Sequence, residues 1–344
     1  PGAPQLVGQG VRFPVGLSTF DAAGQIPTIY SWSFGIQRQL PSKMSIDASY
    51  VANTGRHLQY RRDINMLPLG YTLQPGVLAS VNNTTNALRQ YKGFTNVTMT
   101  EYGAVSNYNA LQIRLSRRFA QHFTGNLNYT WSKAMSEVDS DTTGLGYAYD
   151  RRREYGLASF DRSQIVTADF IYELPLLNGT KGVMKTAFGG WQINGVARFW
   201  NGPPAGISSN GNAGATVGGI RADYLGNNLY PTTQDRYNYF NVYTFGRPVD
   251  GSLGNTGKTV IRLPGINEWD LSLFKNFRVN ERMNFQLRWE TFNTFNHTQW
   301  AAVNTGLSLP NPGMAMQPAN KGSFGEVSDT RDPRSMQIAV KFLF

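Results

Sequence analysis

The chain has 344 residues and a net charge of +10, with 16% charged and 13% aromatic residues, 36 Gly and 17 Pro. Low charge beside many aromatics and turn-formers argues against a helical protein and for an all-β one. Cysteine is absent, which excludes disulfides, thiolate catalysis and cysteine-ligated metals.

Residues 1–27 are rich in Gly and Pro and carry no period, so they read as an irregular leader. The opening Pro1-Gly2-Ala3-Pro4 has no initiator Met, as expected of a mature or truncated piece of something longer. From Thr28 a period of two sets in. Tyr30, Trp32, Phe34 and Ile36 fall on one side, with Ser31, Ser33, Gly35 and Gln37 on the other. Leu40-Pro41-Ser42-Lys43 marks a tight turn, and Met44, Ile46, Ala48 and Tyr50 continue the apolar side on a return strand. Each arm is about ten residues long, enough to cross a bilayer at a tilt.

The pattern recurs with Leu111, Ile113 and Leu115, then with Leu127, Tyr129 and Trp131. It returns with Val166, Ala168, Phe170 and Tyr172, and again with Ile193, Ala197 and Phe199. Trp269, Leu271 and Leu273 precede Phe285, Leu287 and Trp289, and the last strand carries Met336, Ile338, Val340, Phe342 and Phe344. A weaker strand is expected around residues 57–66. Short connections at 41–43, 120–122 and 279–282 alternate with long ones at 67–107, 136–163, 208–265 and 301–333. No apolar run is long enough for a spanning helix, but barrel strands need apolar residues only at every second position. The predicted fold class is therefore all-β: an antiparallel up-and-down β-barrel of outer-membrane type over residues 28–344. It should have about ten or more long strands, short turns on one rim and long loops on the other.

Candidate chemistry is sparse. Ser252-Leu253-Gly254-Asn255-Thr256-Gly257-Lys258-Thr259 is close to a phosphate-binding loop, but Ser252 stands where the first Gly belongs, so a Gly-rich turn is expected. Glu137, Asp139 and Asp141 offer hard oxygen ligands for calcium without the spacing of a known loop. His57, His122 and His297 are far apart, and no Gly-x-Ser-x-Gly occurs, so neither an enzyme nor a cofactor is expected. The basic clusters Arg61-Arg62, Arg117-Arg118 and Arg151-Arg152-Arg153 sit at strand ends rather than along one face. This suits loops over anionic headgroups, or solvated turns, better than a nucleic-acid surface. Arg114, Asp169 and Arg198 are candidates to line the lumen. Arg151, Arg152 and Arg153, with Tyr237 and Tyr239 in the Tyr-rich loops, are candidates for contact or for plain rim pairing and loop packing.

Taken together, YSWSFGIQRQL from Tyr30, MSIDASY from Met44, NYNALQIRLSRRFAQHFTGNLNYTWS from Asn107, SFDRSQIVTADFIYELP from Ser159, GWQINGVARF from Gly190 and RWETFNTFNHTQW from Arg288 resemble the C-terminal half of Oar-like TonB-dependent receptors. That resemblance implies a share of a barrel of about 22 strands, bacterial outer-membrane location, contact with outer-membrane lipid, and energised import. It also implies that the barrel-insertion machinery reads the terminal aromatics Phe342 and Phe344. The plug, TonB box and carboxypeptidase-regulatory-like domain of the family are not recognisable here. An open set of strands raises a second expectation, a structural subunit that forms homo-oligomers, tubes or filaments through strand edges and Tyr-rich loops.

Overall fold

A computed structural model describes residues 14–77, 85–176, 188–226, 228–278 and 283–344, with 182 and 184. Strand β1 (Val15–Phe20) is followed by β2 (Thr28–Leu40), β3 (Met44–Asp63), β4 (Phe94–Ala120) and β5 (Phe123–Ser136). Then come β6 (Gln164–Glu173), β7 (Trp191–Trp200), β8 (Ile266–Arg278), β9 (Asn284–Phe292) and β10 (Ser335–Leu343). From β2 to β10 each strand pairs with the next in chain order, antiparallel throughout. Among the described residues the sheet is open, with β2 and β10 at its edges. No described helix is long and apolar enough to cross a membrane.

Register turns the sequence alternation into two faces. Phe34, Tyr50, Leu111 and Trp131 stand opposite one another across β2–β5, and Phe170, Gly195 and Leu271 do so across β6–β8. These rows form one apolar belt, and much of it is open: Phe34 is 69% exposed, Ile338 74% and Val340 70%. At roughly 25 cal/mol per Å² such a surface is strongly unfavourable in water, so the belt needs an apolar surrounding. Lys275 is an exception on this face. Its ammonium reaches the Gly189 carbonyl beside the short-turn rim and lies 5.3 Å from the Trp191 ring centre, so the charge leaves the belt while the stem stays in it.

The short turns follow hairpin stereochemistry without its usual sequence. Gln121 and His122 both adopt left-handed backbone, at φ 49° and 66°, as a two-residue turn between twisted strands requires. The expected turn at 279–282 lies outside the described residues, as does part of the connection between β6 and β7.

Two expectations are corrected. The leader is not wholly irregular, because β1 pairs in parallel with the upper part of β4, Val15 opposite Phe94 and Phe20 opposite Thr100. Nor is 67–107 all loop. β4 begins at Phe94, and the weak strand near residue 57 is the upper part of β3, continued through a bulge where His57 takes φ 55°. At about 3.3 Å per residue, β4's 27 residues span roughly 90 Å, whereas about 11 residues cross a bilayer. The upper halves of β3 and β4 therefore stand clear of the belt and form a wall for the long loops.

Those loops fold into a cap with its own core. Phe240, Phe245 and Phe324 meet edge to face at 5.7, 5.2 and 6.2 Å, surrounded by Ile207, Ile261 and Leu309. The loop between β7 and β8 enters and leaves through a neck so narrow that only glycine fits. A Cβ on Gly202 would lie 1.6 Å from the Leu263 carbonyl oxygen, and one on Gly265 2.2 Å from that of Trp200. Replacing Phe240 by Ala should cost the cap about 3–5 kcal/mol. Limited proteolysis should then cut residues 201–265 while leaving the membrane-protected strands intact.

Candidate functional site

The face opposite the belt is mostly polar, with Ile171 and Val196 among its apolar exceptions. One lateral row runs Gln37, Asp47, Arg114, Asn128, Thr167, Arg198 and Glu268, each opposite the next on the neighbouring strand. The adjacent row runs Ser45, Ser116, Asn126, Asp169, Val196 and Asp270. Register thus brings Arg114 and Arg198 into one row and Asp169 into the next, all on the face away from the belt. Asn126 donates to Asp169 at 2.8 Å, Asn128 to Thr167 at 3.3 Å, and the Ser45 and Ser116 hydroxyls meet at 2.8 Å. Arg198 bridges Glu268 at 3.2 Å and also Asp270, whereas Arg114 is exposed with no side-chain partner among the described residues. Such a surface can bind water and polar solutes and cannot face hydrocarbon.

Above it, ion pairs lock the cap to the wall. Asp161, whose side chain is fully buried, accepts from the Ala134 amide and from Arg262, each at 2.7 Å. Arg221 pairs with Glu154, and Lys258 with Asp139 at 2.8 Å. The Gly-rich segment containing Leu253 and Gly254 does dock a cation-bearing partner: both carbonyls accept from Arg153 at 2.7 Å, and Lys258 reaches back to β5. The segment is an irregular loop, with Gly254 at φ 75°. Glu137 is bound by Arg151 at 3.1 Å and Asp139 by Lys258, so two of the three calcium candidates hold cationic side chains instead.

The arginine trio divides accordingly. Arg151 and Arg153 are fasteners, and Arg152 is exposed with no side-chain partner among the described residues. Tyr237 is 54% exposed, with Arg236 over its ring. Of the two expectations for Tyr239, contact and loop packing, the structure takes the second: it is 8% exposed and its ring meets Trp300 edge-on at 5.9 Å, inside the cap core. Phe342 stacks between Phe285 and Phe344, at 4.5 and 5.5 Å, on the outer edge of the sheet. Lys258, Arg221 and Arg262 escaped sequence reasoning. Their partners lie 119, 67 and 101 residues away, and only the segment around Lys258 carried any local signal.

Residues 3–337 match the profile of the outer membrane beta barrel domain. The chain belongs to that family. It is a protein of the bacterial outer membrane, with the lipid bilayer around its belt. No curated protein matches the sequence. Similar solved structures include the outer membrane transporter YddB from Escherichia coli (TM-score 0.46, 9% identity, 93% of this chain and 33% of that one). The ferric-catecholate import receptor Fiu from E. coli K12 gives 0.41 and 11%, over 92% of this chain and 27% of that one. The FrpB iron transporter from Neisseria meningitidis gives 0.42 and 12%, over 95% and 33%. The chain thus spans about a third or less of the structures it resembles.

Two titrations report on the cap. Burial opposes the charge on Asp139, but hydrogen bonds from Lys258 and Ser136 outweigh it and hold the carboxyl below its ordinary 3.8. A depressed folded value means that this fastening is complete above the unfolded value and is lost as pH falls through the folded one. The protection factors of residues 252–260 against hydrogen exchange should therefore fall only at pH below about 4. Burial, with a smaller contribution from Tyr230, pushes Tyr239 up to about 12. Its stabilising share is present below the ordinary 10.0 and is lost as pH rises towards 12. In an alkaline absorbance titration its phenolate should form last, and Tyr239→Phe should remove that late step.

Proposed function

We propose that this chain is the C-terminal barrel portion of a TonB-dependent receptor, non-catalytic, whose polar face lines the solute path and whose cap lies outside the cell. The observation that carries this reading is the pairing of an apolar belt and a largely polar face on one sheet, with the loops 137–163, 201–265 and 293–334 gathered into a cap at one rim. The family match and the resemblance of the strand segments to Oar-like receptors support it. On this reading Arg114, Asp169 and Arg198 touch passing solute, Arg152 and Tyr237 are cap contacts, and Phe342 and Phe344 meet the insertion machinery. Strands completing the barrel come from elsewhere in the receptor.

The chain has no cysteine, so a single replacement adds the one thiol of this region and is read against the full-length protein without it. In the full-length protein on intact cells, Arg152→Cys and Tyr237→Cys should react with a membrane-impermeant maleimide, while Ser42→Cys should react only after lysis. Labelling of Ser42→Cys alone would invert the orientation and sink the reading. The energised-import part is tested by capture of the full-length receptor on the periplasmic domain of TonB, and failure to bind would refute it.

A further inference from the structure

On the outer wall, just under the cap, the belt is interrupted by a notch of about 430 Å³ between β3–β5 and the returning segment 156–163. Its floor is Tyr50, Leu111 and Trp131, three side chains in one lateral row, and Trp131 is 58% exposed. Its upper lip is polar. Asn109 accepts from the Tyr50 hydroxyl at 2.7 Å, and Lys133, opposite Asn109 and two residues above Trp131 on the same face, is exposed with no partner among the described residues. An unpaired ammonium above an apolar floor is the arrangement of a headgroup contact, with the stem against the wall and the charge at the interface.

The lip is more cationic than Lys133 alone. Arg262 lines the notch, and Arg162 adjoins Ser163 on its border. The Arg162 guanidinium is held below its ordinary range by burial and, with Asp161 opposing, by the nearby charges of Arg262 and Arg331. Asp161 is the one acid in this group, and its carboxylate is buried and turned inward to the Ala134 amide and Arg262. Lys133 thus stands unpaired, among the described residues, in a group whose Arg262 is held by Asp161 and whose Arg162 donates to the Asp161 carbonyl at 2.9 Å. An anion with several oxygen acceptors satisfies such a group, and an acyl chain satisfies the floor.

Resting on the reading that this face meets lipid and this rim lies outside, we propose that the notch binds a phosphorylated glycolipid of the outer leaflet. An acyl chain would lie against Leu111 and Trp131, with a phosphate on Lys133 and the Arg162–Arg262 group. The site straddles wall and cap, so a bound lipid would tie the two together.

Native mass spectrometry of the full-length protein, isolated from outer membranes and titrated with diphosphoryl lipid A or with phosphatidylcholine, tests this. Lipid A should bind in preference to phosphatidylcholine. Lys133→Glu should weaken lipid A by about fivefold or more, leaving phosphatidylcholine unchanged, and Trp131→Ala should weaken lipid A as well. The same charge reversal at Arg118, on the short-turn rim, should leave lipid A binding as it was. Equal binding of the two lipids, or equal losses from the Lys133 and Arg118 changes, overturns the site while the barrel reading stands. A protein that does not float with vesicles overturns both.

Discussion

Strand register is the constraint on which everything else rests. With a side-chain period of two, a slip of one residue in any pairing would send that strand's apolar set to the polar face. Instead the rows pass from strand to strand without a phase error, from Phe34 through Tyr50 and Leu111 to Trp131, and from Gln37 through Asp47 and Arg114 to Glu268. Where one row must lie in hydrocarbon and the next in water, a slipped register is penalised on both faces. Tight turns of three and two residues, at 41–43 and 121–122, set the alignment at one end, and the bilayer selects it along the rest.

The same topology restricts how the sheet can close. Nine strands alternate in direction, so β2 and β10 run the same way, and joining them directly would make a parallel seam. An all-antiparallel barrel built on this sheet takes an odd number of further strands between those edges. Both edges are exposed, and β10 presents Ile338, Val340 and Phe342 outward beside its unpaired backbone. At the other rim, Gly202 and Gly265 pinch the largest loop at its base, so the cap leaves the wall at a fixed place and is held by ion pairs around its margin.

Period-two alternation is local, which is why the strands, their facing and the chemistry of each face could be read from residues such as Leu111, Gln112, Ile113 and Arg114. What could not be read depends on distant partners. Strand β1 exists through parallel pairing with β4, some eighty residues on, and Val15–Phe20 alone has no alternation to announce it. The bulge at His57 breaks the period, so one long strand looked like a good one followed by a weak one. Tyr239 and Phe240 share a Tyr-rich loop with Tyr237, yet the first two are buried and the third is not, a division decided by Trp300 and Phe324 far along the chain. Spacing within Gly-rich loops carries no periodic signal, so a packed cap and a solvated one look alike in sequence.

The central claim is that one face of this sheet meets hydrocarbon and the other water. Nitroxide labels on single cysteines from residue 110 to 116 of β4, in the full-length protein in bilayers, address it directly. Collision with oxygen should peak at 111, 113 and 115, and collision with a water-soluble nickel chelate at 112, 114 and 116, the two profiles out of phase. Profiles that rise and fall together, or that show no period of two, would contradict the account.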